Sequence, residues 1–423
     1  MADVIGALPK ELKNQNIDVR VVMPLYSSID KKIYNLKPLD GALGVPLGVM
    51  GELWCEVYEA KLSNSNVPIY FIEYEAFFNR DGIYNDKNGN GFLDNATRFI
   101  FFSRASLQLS KKLHFKPNII HINDWQSAPV ASFLNSIYRY DEYFKNTASL
   151  LSIHNMQYQG NFDKRVMDIL SVGWTHFHPW ELEYYDRVNL LKGAIYTSNI
   201  ITTVSKKYAR EIQSSEFGYG LDGVIRDRAN DTFGVLNGVD YEEWNPQIDK
   251  YLKVNYRANN LYGKIACKED LQTTFRLEID KNIPIIGMVT RLVEQKGIDI
   301  VKNIIEAGSD FFLMPSRFEP CGLNQMYSLK YGTLPIVRAT GGLDDTIENF
   351  NEADNSGDGF KFYDLNEEAL YNTIGWALHT YYNNRDGMRS LIHNAMNKEF
   401  SWEKSAKEYI KLYELAIQRK REE

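Results

Sequence analysis

Residues 311–335, FFLMPSRFEPCGLNQMYSLKYGTLP, constrain this chain more than any other stretch of it. The apolar quartet 311–314 reads as a short buried strand, the pattern turns helical near Gly322, and a further strand starts at Leu334. Alternation on that scale belongs to an α/β fold, and the loop carrying Arg317, Glu319 and Cys321 then lies at a strand's carboxyl end. Open α/β sheets bind ligands there. Just upstream another apolar run, 283–289, is followed by Thr290, Arg291, Leu292, Val293, Glu294, Gln295, Lys296 and Gly297. Consecutive strands of one sheet would bring two cations and one carboxylate together.

Such a trio suits removal of a group from a diphosphate. Arg291 and Lys296 can hold phosphate oxygens as the leaving group gains charge, and the amides of Gly322 and Leu323, at a helix start, add to the anion site. Glu319, an acceptor only when ionised, matches sugar hydroxyls or positive charge at an anomeric carbon. The competing reading is a surface ion pair beside an ordinary helix start.

Composition narrows the partners. At 423 residues the chain is long enough for two or three domains. Charged residues are 24% and the net charge is -7, which indicates neither a nucleic-acid surface nor a polybasic membrane anchor. Cys55, Cys267 and Cys321 form no CxxC pair and fit free thiols in a reducing compartment. No apolar run approaches the roughly 18 residues that span a bilayer, and no signal-like segment follows Met1, so cytoplasm is the expected location. The 27 Tyr and 22 Phe could stack on sugars, although aromatic residues mostly fill cores.

In chain order, residues 1–14 read as an amphipathic helix, with strands near 19–23, 53–58 and 67–74. In the loop 79–95, Asp86, Asn88, Asn90 and Gly91 imitate a calcium-binding loop, but Thr97 stands where a bidentate Glu is needed. A helix over 98–112 and a strand over 119–122 deliver His121, Asn123, Asp124 and Trp125. Asp124 can hold an acceptor hydroxyl while the Trp125 ring packs on sugar, or it can cap a helix from Gln126. A strand over 150–153 places His154 on the same rim, where a lone His is otherwise structural. A helix over 185–197, a strand over 200–204, a helix over 205–213 and a strand over 233–236 follow, then Trp244, Asn245 and Pro246 as a hinge. Strand 334–338, a Gly-rich turn into a helix at TGGLDDT and an amphipathic helix over 402–419 end the chain.

The segments VTRLVEQKG, SRFEPCGLNQMYSLKYGTLP and TGGLDDT closely resemble bacterial glycogen synthases and plant starch synthases, retaining glucosyltransferases, over nearly the whole chain. The resemblance implies two Rossmann-like α/β domains facing a cleft, of the GT-B type: an acceptor-side domain over 1–244, a shortened nucleotide-sugar domain over 245–400, and a last helix, 401–423, crossing back to the first. It implies ADP-glucose as donor and an α-1,4-glucan such as glycogen as acceptor. Carried residue by residue, it makes Glu319, His154, Asp124, Arg291 and Lys296 catalytic. Donor contacts fall on Asp3, Asn237, Gly238, Arg291, Lys296, Cys321, Gly322, Leu323, Gly341 and Gly342. Tyr84, Asp94, Asp124, Trp125, Gln157 and Tyr158 line the acceptor side. The chain departs from the pattern twice. Met1 stands where the resemblance places the Leu of a Lys-x-Gly-Gly-Leu loop, so the expectation is either a start read too late or a truncated chain that lacks this loop and the first strand, and KGIDIV passes to EAGSDFFLMPS where the family inserts roughly 50 residues, one to two βαβ units.

Those departures keep a second reading open, a catalytically impaired glucan-binding remnant. A third is a retaining transferase using UDP-sugars. Many such relatives carry a second Glu eight positions after the first, and Tyr327 stands there. No Asp-x-Asp pair suggests a metal-bridged diphosphate, so no metal or other cofactor is expected. Retention by double displacement would want a second carboxylate beside the sugar, and front-face attack within an ion pair is the route the family suggests.

Overall fold

The computed structural model describes residues 2–289 and 310–423. The chain gathers into two compact units, Met1–Thr203 with Ile212–Phe233 and Ala406–Glu423, and Val204–Glu211 with Gly234–Ser405.

The first unit opens on the helix Ala2–Asn14. Strand Val21–Pro24 pairs in parallel with Pro68–Glu73, which runs antiparallel to the long strand Glu52–Lys61. A second sheet has the order Thr232–Gly234, Ile200–Thr203, Ala148–Ile153, Ile119–Asn123, and its last three strands are parallel. Ala148–Ile153 is buried at every residue, as a strand covered on both faces must be, so its serines need internal partners. Ser152 finds them in a one-way chain of hydrogen bonds. Thr202 Oγ1 donates to the Leu151 carbonyl at 3.4 Å and sits 2.6 Å from Ser152 Oγ, which sits 2.7 Å from His121 Nε2. His121 Nδ1 in turn lies 2.8 Å from the hydroxyl of Tyr413. Since the final carbonyl only accepts, each hydroxyl donates onward, His121 carries its proton on Nε2, and Tyr413 donates to Nδ1.

Burial holds His121 neutral, pushing its pKa down to about 4. The stabilisation this represents is present above the free-imidazole value and is lost as pH falls through that lower one. Tyr413→Phe removes the donor and leaves Nδ1 unsatisfied. It is expected to cost about 1–3 kcal/mol, read as a melting temperature several degrees lower with unchanged far-ultraviolet dichroism.

One expectation fails locally. The helix read over 185–197 spans only Leu190–Thr197, because Glu183–Tyr184 and Arg187–Asn189 form an antiparallel hairpin. Its two-residue turn, Tyr185 and Asp186, has φ of 50° and 60°, the left-handed pair that such tight hairpins require.

The second unit is built on a parallel sheet of order Ile286–Gly287, Phe311–Met314, Leu334–Arg338, Phe360–Phe362. Phe311, Leu334, Ile336 and Phe360 pack with Leu370, Ala377 and Leu391 of the helices Glu367–Asn383 and Arg385–Asn397. The first of these strands is two residues long, not the seven of 283–289. Pro284 has no N–H, and the Ile285 amide is taken by the Asp310 carboxylate at 2.9 Å, so strand pairing starts at Ile286. Among the described residues no helix is long and apolar enough to cross a membrane.

Candidate functional site

In the first unit, parallel strands Ile119–Asn123 and Ala148–Ile153 end side by side, Asn123 opposite Ser152. The residue after each strand is a predicted one, and the two meet. Asp124 Oδ1 accepts from the His154 amide at 2.7 Å, and the Asn155 amide donates to the same carboxyl group. Asp124 therefore does not cap the helix that follows it. It is the first residue of the short helix Asp124–Ser127, with φ of 54° in the left-handed region, a strain of about 1–3 kcal/mol that turns the carboxyl toward the neighbouring strand's end.

Desolvation pushes the Asp124 carboxyl up to about 7 against those two amide donors, and it pushes the His154 imidazole down to about 3. Near neutrality, then, the acid is part protonated while the histidine is neutral. Because the folded carboxyl is raised, its stabilisation is full below the free value of 3.8 and is lost as pH rises through about 7. Asp124→Asn is expected to remove this slope. The melting temperature of the parent minus that of the variant should fall steadily between pH 4 and 8, and a constant difference would refute the assignment.

Tyr84 stands close enough for the Asp124 charge to raise its hydroxyl pKa further after burial, so these two expected residues also converge. Its loop is held from beneath by the fully buried Arg98, which donates to the carbonyls of Phe77 and Ile83 at 2.6 and 3.0 Å and to Asn95 Oδ1 at 2.6 Å. Asp94 is engaged in the same loop, paired with Arg80 through both oxygens at 2.7 and 2.6 Å. Trp125, expected to offer its ring to sugar, is instead a core residue packed edge-on to Phe99 and against Phe162. Gly160 abuts it so closely that a Cβ there would lie 2.6 Å from the indole. Gln157 and Tyr158 are exposed in the turn after His154, where Asn155 Oδ1 accepts the Gln157 amide. Asp3 is exposed in the first turn of the opening helix.

In the second unit, the loop after Phe311–Met314 carries Glu319 with only 7% of its surface exposed, and Ser316 Oγ donates to its Oε2 at 3.3 Å. The helix Gly341–Thr346 presses on this loop. The Gly342 amide donates to the Glu319 carbonyl at 3.0 Å, while the Gly341 amide and Thr340 Oγ1 donate to the carboxylate of Glu211 at 3.1 and 3.3 Å. The two glycines expected near phosphates thus give their amides to protein, and Glu211 occupies the helix start. Asp345 returns the arrangement by accepting the Lys207 amide at 2.7 Å, at the start of Lys206–Glu211.

Cys321 is buried, its thiol pushed up to about 12 by desolvation, with the Asn237 amide donating to it. Asn237 is itself buried and its Oδ1 has no partner among the described residues, and Gly238 packs 2.6 Å, measured from a notional Cβ, from Trp402. Gly322 has φ of 68°, which delivers the chain through Leu323 into the helix Asn324–Lys330. Arg291 and Lys296 lie outside the described residues. Among the described residues, no three His, Cys, Asp or Glu side chains group as a metal site.

Two contributors had no role assigned from sequence. Asn123 reaches the His154 ring, and its only signal was a place between a strand and Asp124. Glu211, 130 residues before Gly341, had no local signal.

Comparison with known proteins agrees with this architecture. Residues 1–227 match the model of the starch synthase catalytic domain. The chain is 48% identical to glycogen synthase 1 of Geobacter metallireducens, covering 99% of this chain and 93% of that one, and 41% identical to the glycogen synthase of Treponema denticola, covering 99% and 96%. The Geobacter match extends over 469 positions, more than this chain contains, so that relative carries insertions within the shared span. Among solved structures, the catalytic domain of starch synthase IV from Arabidopsis thaliana, bound to ADP and acarbose, superposes with a TM-score of 0.89 at 28% identity, covering 98% of this chain and 95% of that one. A sucrose-phosphate synthase from Thermosynechococcus elongatus shares the fold at a TM-score of 0.57 and 14% identity, covering 96% and 91%.

Proposed function

This chain belongs to the glycogen synthase and starch synthase family of glycosyltransferases, and from that premise we propose that it moves glucose from ADP-glucose to the non-reducing 4-hydroxyl of an α-1,4-glucan, with retention. Its α/β fold with Rossmann-like units is that of the GT-B enzymes it superposes on. In the proposed reaction the bond between the anomeric carbon and phosphate oxygen breaks, the glucan hydroxyl attacks from the same face, and its proton passes to the leaving phosphate. Glu319 stabilises the positive charge on the sugar, and Arg291 with Lys296 neutralises the departing diphosphate. Asp124 and His154 serve the sugar and acceptor side. The observation that carries this reading is Glu319, a carboxylate buried in a loop at the carboxyl end of a parallel strand.

ADP rather than UDP as the donor's nucleotide is supported by Tyr327. Where a second Glu would be expected in UDP-sugar enzymes, its ring stacks on Trp244 with centroids 3.9 Å apart and planes 3° from parallel. The test is incorporation of labelled glucose into glycogen. ADP-glucose should support it and UDP-glucose should not, EDTA should leave it unchanged, and Lys296→Ala should abolish it. Glucan binding without incorporation would return the chain to the impaired remnant. The proposed setting is the cytoplasm, where the three unpaired cysteines stay reduced.

A further inference from the structure

Asn123 is the residue from which the helix Asp124–Ser127 departs, yet its side chain caps none of that helix's amides. It is used elsewhere, with Oδ1 2.9 Å from Nε2 of His154. Its backbone is clamped by Ser127, whose Oγ accepts from the Asn123 amide and donates to the Asn123 carbonyl, both at 2.7 Å. The orientation of the side-chain amide follows from its other contact. Nδ2 faces the His121 carbonyl at 3.5 Å, and a carbonyl only accepts. Oδ1 is then the atom that meets the imidazole, and Oδ1 also only accepts. The ring must therefore donate from Nε2, which leaves Nδ1 without a proton. Asp124 meanwhile fixes the main chain of the same histidine at 2.7 Å. Consecutive residues at the end of one strand hold both the ring and the backbone of His154.

We propose that Asn123 is a positioning residue that locks His154 as its Nε2–H tautomer, so that the remaining ring nitrogen serves as a hydrogen-bond acceptor for a hydroxyl of the transferred sugar. The sugar contact rests on the functional reading above, and the tautomer does not. Acceptance requires a neutral ring, and burial supplies that condition. Of the titratable groups facing His154 among the described residues, His121 acts on the imidazole, its charge disfavouring the protonated ring, and none is hydrogen-bonded to the ring nitrogens. Asp124 reaches its main chain, His121 is bound to Tyr413 and Ser152, and Tyr84 stands beside Asp124.

Asn123→Asp tests this with almost no change of size. A carboxylate opposite Nε2 favours the imidazolium, which has no acceptor nitrogen, so the pH at which the His154 ring itself charges, followed by its nitrogen-15 resonances, should move up by about one unit or more. Far-ultraviolet dichroism and a melting temperature close to the parent's show that the variant folds. Asn123→Ala should bring no such upward shift of the ring titration, lower kcat about tenfold and keep the KM for ADP-glucose. Nitrogen-15 ring spectra of the full chain, labelled at histidine, read the tautomer directly. The parent should show a protonated Nε2 and a bare Nδ1 at His154, and Asn123→Ala a mixture of tautomers. A protonated Nδ1 in the parent overturns the proposal, as does a His154 ring titration that Asn123→Asp fails to move. The expected tautomer in a parent that transfers no glucose would support the lock and overturn both the sugar contact and the proposed function.

Discussion

Glu319→Gln is expected to lower kcat for glucose transfer about a thousandfold, equivalent to ~4 kcal/mol of transition-state stabilisation, while changing the KM for ADP-glucose little. The amide keeps the shape of the side chain and can still accept from Ser316 Oγ, 3.3 Å away, so packing is preserved and only the charge is removed. The loop is also gripped by the helix Gly341–Thr346 through the Glu319 carbonyl, which the substitution leaves in place. A buried carboxylate acts on developing positive charge more strongly than an exposed one, since little water screens it. Labelled-glucose incorporation measures the effect, with melting temperature as the control for folding. A loss below about tenfold in a well-folded variant would remove Glu319 from the chemistry.

The position of that residue was legible because the strands around it are covered on both faces, and such strands are written as unbroken apolar runs. Phe311–Met314 and Leu334–Arg338 fall where those runs do. The run 283–289 looks the same in sequence but is cut back to Ile286–Gly287, because the Ile285 amide is taken by the Asp310 side chain and the Val289 carbonyl by Asn324. Side-chain competition for backbone groups leaves no mark on hydrophobic periodicity. The meeting of Asp124 with His154 was likewise implied by two strands ending on one rim. What each does there was not, because an Asp or Asn at a strand-to-helix junction ordinarily caps the helix, and here both turn away toward the next strand. Trp125 was read as a sugar platform on its neighbour's account, but a ring one residue further along the turn points into the core. The hairpin at Tyr185 was missed because neither Tyr185 nor Asp186 is the glycine that usually announces a left-handed turn. Glu211 shows the general limit, since a capping carboxylate supplied from 130 residues away follows from the tertiary fold alone.

Gly342→Ala should be among the most disruptive single methyls that can be added to the described residues of the second unit. A Cβ at that position would lie 1.9 Å from the Cys321 carbonyl oxygen and 2.5 Å from its Cα, and both are backbone atoms that cannot rotate aside. At Gly341, where φ is 47°, the corresponding distance to the Glu319 oxygen is 2.0 Å. The alanine must therefore push residues 319–322 away from the helix, straining or breaking the bond from the Gly342 amide to the Glu319 carbonyl. Overpacking and the lost bond together are expected to cost about 3–4 kcal/mol. For a unit of this size that is a melting temperature lower by about 10 °C. Because the displaced backbone carries Glu319, transfer should fall well beyond what the melting shift alone would predict when assayed far below the transition. Gly375→Ala is the matched control. It lies within the helix Glu367–Asn383 of the same unit, nothing stands within 4 Å of its notional Cβ, and the substitution should raise stability by up to about 1 kcal/mol without touching activity. If Gly342→Ala melted with the parent and transferred glucose normally, the close seating of this helix on the Glu319 loop would be wrong, and the explanation given for both glycines would go with it.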